Sequence, residues 1–121
     1  METFPWWNEA HIKLSQDARK LADEVLIPMA ERDSITKKFP WEETKHIASK
    51  GWFGTLIPKQ YGGRLEDWGV TGAAIIIEEV SRAGLAGAPL TTTMFGAATQ
   101  IVHNGNDEQK KKWLPRIARG A

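Results

Sequence analysis

Between Arg82 and Asp107 the chain carries no Asp, Glu, Lys or Arg, and that gap restricts the fold more than any other feature. Leu90, Met94, Ala97, Ala98 and Ile101 recur at helical spacing, which predicts a helix from about Ala88 to His103. Its other side offers Thr92, Thr93, Gly96, Thr99 and Gln100 where a surface helix would carry charges. A helix without a charged face is buried on most sides. It does not read as a membrane span, because Gly, Pro, Thr, Gln, His and Asn interrupt it too often. The few other short helices in the chain cannot surround one of their own number. The neutral face is therefore expected to meet a neighbouring domain, a subunit or a ligand. Thr91, Thr92 and Thr93 open this helix, and their hydroxyls suit either ligand contact or the capping of backbone donors.

Four further helices are predicted and no strand, which makes the chain all-α. The first runs from about Asn8 to Met29, with Leu14, Ala18, Leu21 and Val25 on one face. Arg19 with Asp23 and Lys20 with Glu24 have the spacing of i,i+4 ion pairs on its wet side. Pro28 is expected to kink or stop it. The second, Pro40 to Lys50, has Pro40 at the first helical position and Glu42 and Glu43 in the first turn. Gly51 suits a left-handed residue after it, with Trp52 folding back on Ile47. Phe53 to Leu65 reads as a loop in which Tyr61–Gly62–Gly63 is a turn with glycines at positive φ. The third helix spans Val70 to Arg82 with Asp67 as its N-cap. Gly105 suits a left-handed end to the uncharged helix, and Asn106 or Asp107 then caps the next one. Asn106 with Gln109 has the spacing of a capping box. The fifth helix, Asp107 to Arg119, sets Trp113, Leu114 and Ile117 on one side, with a kink or break expected at Pro115.

The 121 residues suffice for one core and not for two ordinary domains. A formal charge of +1, with acids and bases interleaved, gives no electrostatic case for nucleic acid. The chain has no cysteine, which excludes disulfides and thiolate metal sites. His11, His46 and His103 lie far apart, so no metal site is expected. The start of the chain shows neither a basic region followed by an apolar run nor a transit-peptide composition. A soluble, cytoplasmic protein without a membrane segment is the expectation. Six tryptophans are many for this length; Trp6 and Trp7 imply either a docked amino-terminal end or two large rings left in water. Glu78 and Glu79 resemble an acid–base pair, but adjacent helical residues point about 100° apart and cannot converge on one atom. Structural or ion-pair roles are favoured, with Arg82 a candidate partner for either Glu78 or Glu79. Lys110 to Lys112 read as a solvated helix face, and His103 as a partner of the helix dipole. There is no phosphate-binding glycine motif and no Ser/His/Asp constellation.

Six blocks nevertheless stand in a telling order. They are Ile27–Pro28–Met29–Ala30 with Asp33; Phe39–Pro40; Gly51–Trp52–Phe53–Gly54; Pro58 to Gly63; Ile75 to Val80 with its Glu78–Glu79–Val80; and Gly105 to Pro115. Together they resemble the amino-terminal helical domain of the acyl-CoA dehydrogenases over about three quarters of the chain. The resemblance implies an FAD-dependent enzyme that oxidises acyl-CoA thioesters to 2,3-enoyl products. In that family a β-barrel-like middle domain and a carboxy-terminal helical domain supply the flavin contacts and the glutamate base. No catalytic, cofactor-binding or metal residue is therefore assigned in this chain, which by itself is expected to be inert and not to hold FAD. The resemblance further implies homo- or hetero-oligomers and allows an electron-transfer flavoprotein as acceptor. Carried over by position, Pro89, Thr92, Thr93 and Gly96 are the residues expected to line the acyl pocket. Two alternatives stay open: a flavin monooxygenase or oxidase of the same fold, and a non-catalytic helical assembly module.

Overall fold

The computed structural model describes residues 3–121. Five helices and two short 3₁₀ turns make up the fold, with no strand among the described residues. Helix α1 spans residues 9–33 as two α-helical parts, Glu9–Leu21 and Ile27–Asp33, joined by a π-helical segment, Ala22–Leu26. Pro28 thus neither stops nor ends the helix at Met29. In the wider turn Ile27 N–H reaches back to Ala22 O, and the proline enters just beyond it, at the start of a renewed α-helix whose early positions need no amide donor.

Helix α1 begins at Asn8, whose side chain accepts from His11 N–H while His11 Nδ1 accepts from Asn8 N–H. The imidazole Nε2 then donates to Trp68 O at 3.0 Å, which fixes the tautomer and ties α1 to the start of the third helix. Helix α2 is Trp41–Ser49, with Pro40 as its N-cap rather than its first residue. Pro40 O accepts from both the amide and the hydroxyl of Thr44. Gly51 follows at φ +75° as expected, and Trp52 lies with Ile47 in the main core.

The segment after Gly51 departs from the surface loop that its turn residues suggest. Trp52 to Ile57 is buried without interruption, because its backbone is satisfied internally: Arg64 N–H donates to Gly54 O and Leu65 N–H to Ile57 O. Of the two glycines in the following turn only Gly62 has positive φ. Gly63 is required for a different reason, since a Cβ there would overlap the Ile57 carbonyl.

Helix α3, Gly69–Ala83, has Trp68 and not Asp67 at its N-cap. The Asp67 carboxylate is instead taken by Lys59 at 2.9 Å and Arg64 at 3.0 Å. Helix α3 packs along α1, bringing Ala73, Ile76 and Val80 into one core with Leu14, Ala18, Ala22 and Leu26. The two helices are also clasped by Glu79, whose carboxylate meets Arg19 from α1 and Arg82 from α3, each at 2.8 Å. Arg82 reaches on to Asp23 at 2.7 Å. The predicted Arg19–Asp23 pair is therefore replaced by longer-range partners, and Lys20–Glu24 does not form. Of the two glutamates that could pair with Arg82, Glu79 is the one that does.

Helix α4 covers residues 87–104 as Gly87–Thr91, a π-helical Thr92–Ala98 and Thr99–Asn104. The extra residue in the wide turns leaves Leu90, Met94 and Ala98 buried while Ala97 is exposed, against the stripe expected from α-helical spacing. Gly105 ends α4 in an extended conformation, φ −74° and ψ 152°, not a left-handed one. A Cβ there would come within 2.6 Å of Ile101 O, so close approach demands the glycine.

Helix α5, Asp107–Ala118, opens on the complete Asn106/Gln109 capping box. It runs through Pro115 without a break; the carbonyl left without a donor belongs to exposed Lys111, where water can serve it. Leu114 and Ala118 are buried with Ile57 and Ala98 in a second, smaller core, while Trp113 turns outward beneath Lys112 and Arg116. Replacing Asn106 by Ala removes the side-chain oxygen that accepts from the Gln109 N–H at N3 and should cost about 1 kcal/mol, read as a lowered thermal midpoint. At the other end of the chain both alternatives for the paired tryptophans are realised. Trp7 packs on the main core, and Trp6 stacks on Phe4 in the open.

Candidate functional site

Two surfaces of α4 matter, and the π-helical segment determines which residues each one receives. Pro89 and Thr93, both half-buried, point to an apolar groove of about 230 Å³. Phe39 and Trp41 from the entry to α2, Thr44 within it, Phe53 from the buried segment, Ile117 from α5 and Gly120 with Ala121 beyond it form the rest of its walls. None of the lining side chains ionises; the only side-chain hydroxyls are those of Thr44 and Thr93. The groove can therefore hold hydrocarbon and offers nothing to balance a phosphate.

Thr92 and Gly96 lie on the adjoining exposed face, next to exposed Phe95. A Cβ built on Gly96 meets nothing closer than Thr92 Cγ2 at 3.8 Å, so no packing inside this domain accounts for the glycine. The four pocket residues expected from the sequence thus separate into two pairs on neighbouring faces. Pro89 sits in the first turn of α4, where its missing amide costs nothing.

The threonine run divides similarly. Thr91 donates its hydroxyl to Gly87 O at 2.8 Å, and Thr99 donates to Met94 O at 3.0 Å. The hydroxyls of Thr92 and Thr93 make no such bond among the described residues. Thr91 is therefore occupied within its helix, and the next two keep a hydroxyl for something outside it.

Sequence reasoning did not single out Phe39, Trp41, Phe53 and Ile117 as groove residues. A signal existed in the first two: large aromatics on both sides of Pro40, at a helix entry where polar caps are usual. Their rings lie 4.4 Å apart and both stay exposed, Trp41 at 66%.

The remaining ionisable groups do not assemble a catalytic centre. Glu78 is exposed and Glu79 is buried on a different face. Burial opposes ionisation of Glu79, but the guanidiniums of Arg19 and Arg82 outweigh it and hold the carboxyl below its usual value. Among the described residues no group of His, Asp or Glu is placed to hold a metal ion, and no helix is long and apolar enough to cross a membrane.

Residues 8–121 match the family described as "Acyl-CoA dehydrogenase, N-terminal domain". A 3-(aryl)acrylate reductase of Clostridium sporogenes (strain ATCC 15579) is 36% identical over 95% of this chain and 30% of its own length. A glutaryl-CoA dehydrogenase of Desulfococcus multivorans is 32% identical over 87% of this chain and 28% of its own. A solved structure of a glutaryl-coenzyme A dehydrogenase in complex with glutaryl-CoA superposes with a TM-score of 0.87 at 29% identity, over 98% of this chain and 30% of that one. The chain spans about three tenths of the length of these relatives. An all-helical domain with that extent of agreement belongs to the acyl-CoA dehydrogenase family, and within it to the N-terminal domain.

Proposed function

We propose that this chain is the helical wall that closes the acyl-tail end of the substrate pocket in an FAD-dependent acyl-CoA dehydrogenase. The observation that carries the reading is the uncharged face of α4. Pro89 and Thr93 edge an apolar groove, and beside them Thr92 and Gly96 leave open space and unused hydroxyls. Such a face suits the tail of an acyl thioester bound between this domain and further polypeptide.

The flavin does not fit here. Its diphosphate needs cations or converging amides, and the groove has neither. We therefore assign FAD, the base and the dehydrogenation chemistry to polypeptide beyond this domain, and the chain alone should be colourless and inactive. Absorption spectroscopy of the chain, followed by assay with acyl-CoA thioesters, checks this. Stoichiometric flavin or turnover by residues 1–121 alone would overturn the reading.

The wall itself is tested by Gly96→Leu in the intact gene product. The new side chain enters open space and adds helix propensity of about 0.8 kcal/mol, so the fold should not suffer. In the pocket it should lower kcat/KM for long or bulky acyl groups about tenfold or more, while short ones change little. Equal effects on all chain lengths would remove α4 from the pocket.

A second reading draws on the exposed rings of Phe39, Trp41, Phe95 and Trp113: a non-catalytic module that assembles through them. It requires one defined oligomer of the isolated chain by sedimentation. The dehydrogenase reading requires loose, concentration-dependent association and dye binding. A flavin monooxygenase or oxidase would use the same domain, and oxygen consumption by the intact protein separates it from a dehydrogenase.

A further inference from the structure

Helix α4 has to serve two cores at once. Leu90 and Met94 are buried in the main core, and Ala98 lies in the second with Ile57, Leu114 and Ala118. Two registers compete for that span. Leu90, Met94, Ala97 and Ile101 recur at α-helical spacing. The π-helical segment Thr92–Ala98 instead buries Ala98, exposes Ala97 and leaves Ile101 half-buried. An alanine fills the inward position in either register, and the α-helical one would cover more of Ile101. Apolar burial therefore does not select the register that is observed; it favours the other.

The contact that does select it is made by Thr99. Threonines in the α-helical parts turn their hydroxyls to the carbonyl four residues back: Thr44 to Pro40 O at 2.7 Å and Thr91 to Gly87 O at 2.8 Å. Thr99, half-buried, donates to Met94 O at 3.0 Å, five residues back. Five residues is the hydrogen-bonded span of a π turn, and four that of an α turn. The bond also straddles the point where α4 passes from the main core to the second. In an α-helical 94–99 segment the partner four residues back would be Phe95 O, and the bond to Met94 would be lost.

In the observed register Gly96 lies beside Thr92, with Thr92 Cγ2 3.8 Å from where a Cβ would stand and nothing else that close. An α-helical turn winds further round the axis per residue. Measured from the buried Met94, it would rotate Phe95 and Gly96 relative to Thr92 and Thr93 and redraw the open face. We propose that Thr99 is a positioning residue: its hydroxyl holds α4 in the π register, which keeps Gly96 open beside Thr92 and so admits a long or bulky acyl tail. Thr99 does not itself line the groove. The proposal deepens the acyl-wall reading above and rests on it. One hydrogen bond suffices when two registers are close in energy, since it changes their ratio about fivefold.

The test compares Thr99→Val, which keeps the shape and removes the hydroxyl, with Thr99→Ser, which keeps the hydroxyl. In isotope-labelled chain, NMR methyl contacts should place Ala98 in the second core for wild type and Thr99→Ser, and Ala97 there for Thr99→Val. In the intact gene product, Thr99→Val should raise KM about fivefold for long or bulky acyl-CoA thioesters. Its kcat on them should change little, short thioesters should be unaffected, and Thr99→Ser should restore the wild-type KM. A purely structural role would lower the thermal midpoint and move neither the methyl contacts nor the KM profile.

Ala98 still in the second core of Thr99→Val would overturn the proposal, as would Thr99→Ser behaving like Thr99→Val. If Thr99→Val does not fold, Thr99→Ala, a better helix former, takes its place with the same expectations. The reading beneath the proposal fails separately. An exchange of contacts without a change in KM, where Gly96→Leu does alter chain-length preference, would overturn the role of Thr99 in specificity. Where Gly96→Leu alters nothing either, the acyl wall is overturned, and the methyl contacts still decide whether Thr99 holds the register.

Discussion

Gly63→Ala should come close to abolishing the fold, whereas Gly62→Ala should be tolerated. The two glycines are adjacent in one turn and do different physical work. At Gly62, φ is +86° and a Cβ would meet nothing within 4 Å, so alanine incurs only the backbone cost of a left-handed residue, about 1 kcal/mol. At Gly63 the added carbon overlaps the Ile57 carbonyl. That carbonyl cannot move aside cheaply, because it accepts from Leu65 N–H at 3.0 Å and Ile57 is fully buried in the second core. Overpacking against fixed backbone lies at the severe end of single substitutions, on the order of 4 kcal/mol. Total stabilities of domains run from roughly 5 to 15 kcal/mol, so a domain near the lower end would retain only about 1 kcal/mol. Thermal or urea unfolding of the two variants checks the ranking, and equal losses would mean that the 54–65 segment does not pack as described.

The second large effect is expected at Glu79. Its carboxylate is only 7% exposed and joins α1 to α3 through Arg19 and Arg82. Removing one member of a buried pair costs about 3–5 kcal/mol, mostly because the survivors are left uncompensated. Here the surviving guanidiniums are 45% and 37% exposed and can return to water, so Glu79→Gln should cost about 2 kcal/mol. The loss should depend on pH in one direction. The folded-state pKa lies below the ordinary glutamate value of 4.5, so the contribution is complete above that value and disappears as pH falls through the folded one. Unfolding free energies of wild type and Glu79→Gln should therefore differ at pH 7 and converge only once the pH has fallen through the folded-state value. A gap that persists unchanged into acid would show that Glu79 acts by packing rather than by charge.

Helix number and class were legible because five amphipathic segments with caps and breakers do not depend on long-range information. The Asn106/Gln109 box and Gly51 are local devices, and they appear where local spacing puts them. Ion-pair partners were less legible. Arg19 has an acceptable partner four residues on, yet meets Glu79 sixty residues away, because helix packing, not helix spacing, sets which charges come close. The glycines show the same limit. Gly63 and Gly105 look like left-handed residues but are required by carbonyls brought near in three dimensions. For the site, an uncharged helix was enough to mark α4. The aromatic wall from Phe39, Trp41 and Phe53 was not visible, since it joins segments that only the fold makes neighbours.

The π-helical stretch in α4 has a consequence for residue correspondence as well as for packing. A π-helical turn closes its hydrogen bond over five residues instead of four, so it spans one residue more between bonded partners than an α-helical turn. A homologue with a plain α-helix there would differ by one position in the middle of a secondary-structure element, where gaps are least expected. Residue correspondences drawn by counting from Pro89 and by counting back from Gly105 would then disagree by one. The equivalents of Thr92, Thr93 and Gly96 in any such homologue are defined by superposed backbones, not by their ordinal place in the chain.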